Sequence, residues 1–340
     1  MRAIVTTAPG RMELREVQEP EPMPGEAVVG VRAVGLCGSD VHLYQGDHPY
    51  SRFPNVQGHE FCGVIEAFGP GYAGSLQVGD LVAVEPLIAC GRCFACRRGH
   101  PNCCVELVVM GVQSDGALAE RLAVPVACCH RADGLSTELA ALVEPMSIGL
   151  QAVTRGRVSA GDGVLVLGAG PIGHAATLAA ADRGAEVMTV DRLDNRLVLA
   201  AALGAARTLN TEQASLEEAV AEWTGGEGPA VIIDATGAPE LIRQAVDVVA
   251  PSGTVVIVGI SMREVSLSVT EFTKKELNVL GSRNNAGVFG QALDLVARHT
   301  DRVARLVTHR FPCLEAPSAI EFAMRHQAEV EKVLLVWEPA

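Results

Sequence analysis

The apolar positions of this chain fall into two regimes. Up to Pro145 they come in short runs separated by turn residues. Ala3–Val5, Ala27–Val34, Phe61–Phe68, the end of Val78–Val84 and Gly116–Val124 read as strands. Beyond Gly163, runs of consecutive apolar residues alternate with Ala- and Leu-rich helical stretches. The runs are Val164–Leu167, Glu186–Val190, Thr208–Leu209, Ala230–Asp234, Thr254–Val258 and Leu277–Leu280. A strand apolar at successive positions is buried on both faces, and strands joined by helices form a doubly wound parallel sheet. Leu139–Ala152, Phe289–His299 and Ala316–His326 carry helical patterns, and Val333–Trp337 reads as a final strand. The fold class is therefore α/β. A β-rich domain over 1–146 precedes a Rossmann-type domain over 147–283. Composition alone does not assign 284–340 to either.

The first of the parallel strands runs straight into Gly168-Ala169-Gly170-Pro171-Ile172-Gly173. In G-x-G-x-x-G the first glycine makes the tight turn. The second admits a pyrophosphate against the backbone, and the third lets helix and strand pack closely. The pyrophosphate then meets the free N–H groups of a helix N-terminus. Asp191 closes the next strand, about 20 residues past the motif, where an acid accepts from ribose hydroxyls. NAD is the expected dinucleotide, because that acid repels a 2′-phosphate. Arg192 and Arg196, close by, are the groups that would favour one.

Charge narrows the partners. Across 340 residues, 27 Lys and Arg face 40 Asp and Glu, for a net charge of −13. That argues against nucleic acid and anionic membrane surfaces. No apolar run approaches the ~20 residues of a membrane span, and the N-terminus lacks the apolar segment of a secretion signal. A cytoplasmic location is expected, and with it ten reduced cysteines available for metal or catalysis.

Four of those cysteines are spaced C-x2-C-x2-C-x7-C, at Cys90, Cys93, Cys96 and Cys104. Four thiolates on one short loop close a tetrahedral zinc site and leave no open position. Cys103 adjoins Cys104, and spacing does not choose between them. A second set is Cys37, His59 and a carboxylate, three protein ligands with room for a fourth, as in catalytic zinc. The carboxylate is Glu60 or Glu144. Adjacent strand residues point to opposite faces, so His59 and Glu60 reach one ion only if Gly58 turns the backbone. Glu144 stands between apolar neighbours on the linking helix.

Taken together and in order, GLCGSDVH, GHE, the cysteine loop, EPMSIG and GAGPIG resemble the zinc-dependent medium-chain alcohol dehydrogenases over essentially the whole chain. The glutamate in EPMS is similar to that of the sorbitol, threonine and sugar-acid branch. The resemblance implies a GroES-like catalytic domain that the 284–340 segment completes. It implies catalytic zinc on Cys37, His59, Glu60 and Glu144, and structural zinc on Cys90, Cys93, Cys96 and Cys104. Ser39 and His42 become a proton relay, and Gly168, Gly170, Pro171, Ile172, Gly173, Asp191, Arg192 and Arg196 a cofactor site. A homodimer or homotetramer is implied.

The segment TKKELNVLGSRN is similar to enzymes acting on L-galactonate or L-gulonate. The expected reaction is hydride transfer from a secondary hydroxyl of a polyol or sugar acid to NAD. Arg283 is expected to grip a substrate carboxylate, with Asn284 on a neighbouring hydroxyl. The competing readings are a simple alcohol or L-threonine dehydrogenase and a zinc- and dinucleotide-binding sensor without turnover. For Arg283 they are a solvated surface position and a cofactor contact.

Overall fold

The computed structural model describes residues 1–337. The last three positions of the expected 284–340 segment lie outside the described residues. The chain divides into two compact units, Met1–Glu144 with the chain from Phe289 onward, and Pro145–Val288. The changeovers fall at 144/145 and 288/289, against the expected 146/147 and 283/284. The second offset has a local cause. The turn after the last parallel strand stays with the helix Val143–Arg155, where Ala286 N–H donates to Gln151 Oε1 at 3.3 Å, and Asn285 is buried.

In the first unit a seven-stranded sheet has the long strand Glu26–Leu36 at its centre. Glu60–Phe68 lies antiparallel on one side of it, with Gly35 opposite Glu60. Lys332–Val336 lies antiparallel on the other, with Leu36 opposite Val333. The expected strands at Ala3, Ala27 and Phe61 are present, each longer by one to several residues, and the last is shifted by one residue, to Lys332–Val336. Among the longer strands, Arg11–Glu16 and Val307–Pro312 have no apolar run to announce them. Both lie at a sheet margin, where one side is solvated and polar residues are tolerated. Of Gly116–Val124, only the end is strand, Arg121–Pro125.

The expected helix Leu139–Ala152 is two helices, Thr137–Ala141 and Val143–Arg155. Ser136 caps the first by accepting from Leu139 N–H. Pro145 then falls in the first turn of the second, where a missing N–H costs nothing.

The second unit is a six-stranded parallel sheet. Its spatial order is Arg207–Asn210, Glu186–Asp191, Gly163–Leu167, Val231–Asp234, Thr254–Ile257, Asn278–Gly281. In sequence terms this is 3-2-1-4-5-6, the dinucleotide-binding order. All six expected strands are present. Leu165, Leu167, Ile232 and Val255 are fully buried at its centre, as apolar runs on both faces require.

Candidate active site

Strand pairing assembles the open ligand set. Leu36 ends the central strand, and Cys37 follows as N-cap of the helix Gly38–Gln45. His59 and Glu60 open the antiparallel neighbour. Gly58 precedes them with φ +96°, a conformation that L side chains rarely adopt, and so supplies the turn that adjacent ligands need. Ligand atoms of Cys37, His59 and Glu60 lie within 4.8 Å of one another.

The shell behind these residues is buried and directional. Asp40 is fully buried, and its Oδ2 accepts from Cys37 N–H at 2.9 Å, fixing the helix entry. Its other oxygen faces His59 Nδ1 at 3.6 Å. Burial would raise the Asp40 carboxyl, yet the His59 ring and the N–H groups of Cys37 and Gly58 hold it below the usual carboxylate range. Burial would likewise lower His59, but Asp40 keeps its pKa well above the ordinary value. A carboxylate on Nδ1 orients the ring so that Nε2 faces a metal. Gln57, fully buried, holds the Asp40 carbonyl at 2.9 Å and is itself held by Thr6 Oγ1 at 2.9 Å.

Glu60 carries a partner that sequence reading did not find. Lys332 Nζ, 3% exposed, donates to Glu60 Oε1 and Oε2 at 2.8 and 2.7 Å and to the Leu36 carbonyl at 3.2 Å. All three ammonium donors are used, and the pairing raises the Lys332 pKa against a burial that would lower it. Nothing in a lysine next to VLLVW points to this; only strand order brings it there. Asp40 did leave a signal, as an acid three residues after the N-cap.

Glu144 is buried on the first turn of Val143–Arg155 but is not in the 4.8 Å set. Burial pushes its carboxyl up to about 7; His59 opposes this, and the negative Glu60 adds to it. Ser39 Oγ stands 3.4 Å from His59 Nε2. His42, one turn on, is exposed, with Nδ1 3.0 Å from Asp47 Oδ1. One thiolate, one imidazole turned by a carboxylate, and a carboxylate make a zinc-type donor set with an open position.

The cysteine loop gathers Cys90, Cys93, Cys96 and Cys104 with ligand atoms mutually within 4.8 Å. Cys103 is exposed and outside the set. Cys104 Sγ accepts from the N–H groups of Cys90 and Glu106, both at 3.3 Å. N–H groups of Cys96 and Val105 bring the Cys93 thiol down to about 6. Desolvation and the neighbouring sulfurs push Cys96 up instead, since a second thiolate beside the first is unfavourable without a cation. That competition fits a thiolate-bound metal.

In the second unit, Gly170 is the N-cap of the helix Pro171–Asp182. A Cβ on Gly173 would overlap the Gly168 carbonyl oxygen, so helix and strand approach as the motif requires. Asp191 ends its strand with both oxygens engaged. Oδ2 accepts from Ala169 N–H at 2.8 Å, and Oδ1 from Arg192 and Leu193 N–H at 2.8 and 3.0 Å. Arg196 Nη1 is 4.0 Å from Asp191, while Arg192 is exposed. Arg283 is exposed after the strand Asn278–Gly281, and Asn284 takes a left-handed φ of 45°.

Residues 23–134 match the alcohol dehydrogenase GroES-like domain, and residues 171–298 match the zinc-binding dehydrogenase family. The chain is 36% identical to the L-galactonate-5-dehydrogenase of Escherichia coli K12 over 92% of each chain. It is similar, with a TM-score of 0.93 and 35% identity over 99% of each chain, to the Escherichia coli CFT073 alcohol dehydrogenase rspB, solved with NADH. A zinc-binding dehydrogenase of Sinorhizobium meliloti 1021 bound to NADP gives a TM-score of 0.92 at 32% identity, over 98% of each chain. The cysteine loop, the Cys37–His59–Glu60 set, the sheet order and these likenesses agree: the chain belongs to the zinc-type medium-chain alcohol dehydrogenase family.

Proposed function

We propose that this enzyme oxidises a secondary hydroxyl of a polyol or sugar acid, with NAD as acceptor. The observation that carries this reading is the open Cys37–His59–Glu60 set with a second buried carboxylate, Glu144, within electrostatic reach. Zinc there, on Cys37, His59 and a glutamate, supplies a Lewis acid that lowers the pKa of a substrate hydroxyl, and NAD supplies the hydride acceptor. One thiolate and one carboxylate leave such an ion formally neutral, as two thiolates would, but the harder carboxylate donates less charge than a thiolate and leaves the ion a stronger Lewis acid toward an alkoxide.

The chain's own residues move the proton. Ser39 Oγ, beside His59 Nε2, accepts it from the substrate hydroxyl, and exposed His42 hands it to solvent. Cys90, Cys93, Cys96 and Cys104 hold structural zinc. Gly168, Gly170 and Gly173 cradle the pyrophosphate. Asp191 binds the adenosine ribose and disfavours a 2′-phosphate, even with Arg192 and Arg196 near. Arg283 and Asn284 select an anionic, hydroxylated substrate, and the likeness to L-galactonate-5-dehydrogenase supports that class.

The test is a panel of hexitols, aldonates, L-threonine and simple alcohols, with NAD and NADP compared by kcat/KM. The expected order puts aldonates or hexitols first and NAD ahead of NADP. A preference for L-threonine or simple alcohols overturns the substrate class, and parity of the cofactors overturns the role of Asp191. Arg283→Ala separates acid from polyol. Its loss should be confined to aldonates, whereas a cofactor contact would raise the KM for NAD with every substrate.

A further inference from the structure

The turns that follow the strands Val231–Asp234 and Thr254–Ile257 are held by one carboxylate that no step above uses. Asp234 ends the first of these strands and is fully buried. Its Oδ1 accepts from Thr236 N–H at 3.1 Å and from the Thr236 hydroxyl at 2.5 Å, and its Oδ2 accepts from Gly237 N–H at 3.0 Å. Its backbone carbonyl reaches the second turn, accepting from Val258 N–H at 2.8 Å and Gly259 N–H at 3.0 Å. Five hydrogen bonds from two turns thus converge on one residue.

The bonding brings the turns into backbone contact, since a Cβ on Gly259 would overlap the Gly237 nitrogen. The first turn is also seated against the phosphate motif. Ala235 N–H donates to the Leu167 carbonyl at 2.9 Å, and a Cβ on Gly168 would lie 2.6 Å from Thr236 Cγ2. Thr236 Oγ1 accepts in turn from Ala238 N–H at 3.0 Å, which sets the entry to the helix Pro239–Val248. Gly163–Leu167 and Val231–Asp234 are neighbours where the strand order reverses, and a dinucleotide lies across that crevice. The half that begins at Gly163 takes adenosine and pyrophosphate on its glycine motif. The nicotinamide mononucleotide therefore falls to the half that begins at Val231.

Among the described residues, every donor to the Asp234 carboxylate is neutral, and burial raises its carboxyl against the bonds from Thr236 and Gly237. The residue gains no ion pair there. What it supplies is acceptors on both oxygens, and an asparagine would turn a donor toward one of the same N–H or O–H groups. We propose that Asp234 is a positioning residue for the nicotinamide half of the cofactor, fixing the two turns against which that half binds. This rests on the NAD reading above. Turns already fixed before binding spare the cofactor the cost of ordering them.

The test is Asp234→Asn and Thr236→Val, each titrated with NADH by fluorescence and with ADP by calorimetry, with the melting midpoint recorded. ADP carries adenosine and pyrophosphate alone, so it reads the first half without the second. Asp234→Asn should bind NADH about tenfold more weakly, the scale of one hydrogen bond to a charged group, and bind ADP within about twofold of wild type. Thr236→Val keeps a methyl group and loses two bonds, and should show a smaller loss, about threefold, again confined to NADH. Equal losses for NADH and ADP, or unchanged NADH affinity beside a lower melting midpoint, overturn the assignment and leave the NAD reading standing. Wild-type protein that binds ADP but not NADH overturns the NAD reading itself. If Asp234→Asn does not fold, Thr236→Val carries the same comparison.

Discussion

The chemistry of the open site depends on residues one step behind the ligands. Asp40 ties the Cys37 backbone and faces His59 Nδ1, so a single side chain sets two ligands. Asp40→Asn should lower zinc affinity and kcat/KM by about 10- to 100-fold, the scale for losing a partner of a metal-bound histidine. Metal competition and kinetics would read this, and unchanged zinc affinity would show that His59 needs no such support. Glu144 gives a pH dependence of known sign. In the metal-free protein its carboxyl is raised from 4.5 to about 7 by burial. Its contribution to stability is complete below the unfolded value and is lost as pH rises through about 7. Chelator-treated protein should therefore melt at lower temperature above pH 7 than below it, and Glu144→Gln should flatten that slope. A slope unchanged in Glu144→Gln would mean that another buried group controls it.

At the scale of elements, the Cys90–Cys104 loop contains only the one-turn helix Phe94–Arg97 and the 3-10 turn Pro101–Cys103. It has little core of its own, with Phe94 and Val105 exposed. A metal crosslink on the four thiolates would supply the missing stability, as in other small thiolate sites. Cys93→Ser should bring zinc from about two ions per chain to about one and lower the melting midpoint. Cys37→Ser should remove the other ion with turnover and leave the loop's protease resistance intact. A Cys93→Ser protein with full zinc content would sink the structural assignment. The spacing that identifies this site is legible in one line of sequence, because all four ligands lie on one short segment.

At the scale of the whole molecule, the site needs the far end of the chain. Lys332 and Glu60 are 272 residues apart in sequence and form a buried ion pair. They meet because Lys332–Val336 and Glu60–Phe68 flank the same strand, Glu26–Leu36. Removing one partner of such a pair leaves an uncompensated buried charge, so Lys332→Met should cost about 3–5 kcal/mol. Adding Glu60→Gln to it should recover much of that loss. Denaturant unfolding would measure both, and a Lys332→Met protein as stable as wild type would remove the case for a coupled pair.

Sequence by itself determined the features written in local code. An apolar run marks a strand when both faces are buried, which is why the four inner parallel strands could be read, while the half-exposed edge strands Arg207–Asn210 and Asn278–Gly281 were legible from their place in the β–α alternation, and the polar Arg11–Glu16 and Val307–Pro312 were not. The glycine motif, Asp191 and the four-cysteine loop were likewise legible, because each acts through neighbours in the chain. Only tertiary structure decided which carboxylate approaches Cys37 and His59. It brought Glu60 into range, through the left-handed turn at Gly58, while holding Glu60 on Lys332. That choice depends on strand order and register, and these are set by the joint burial of the sheet, which no local spacing encodes.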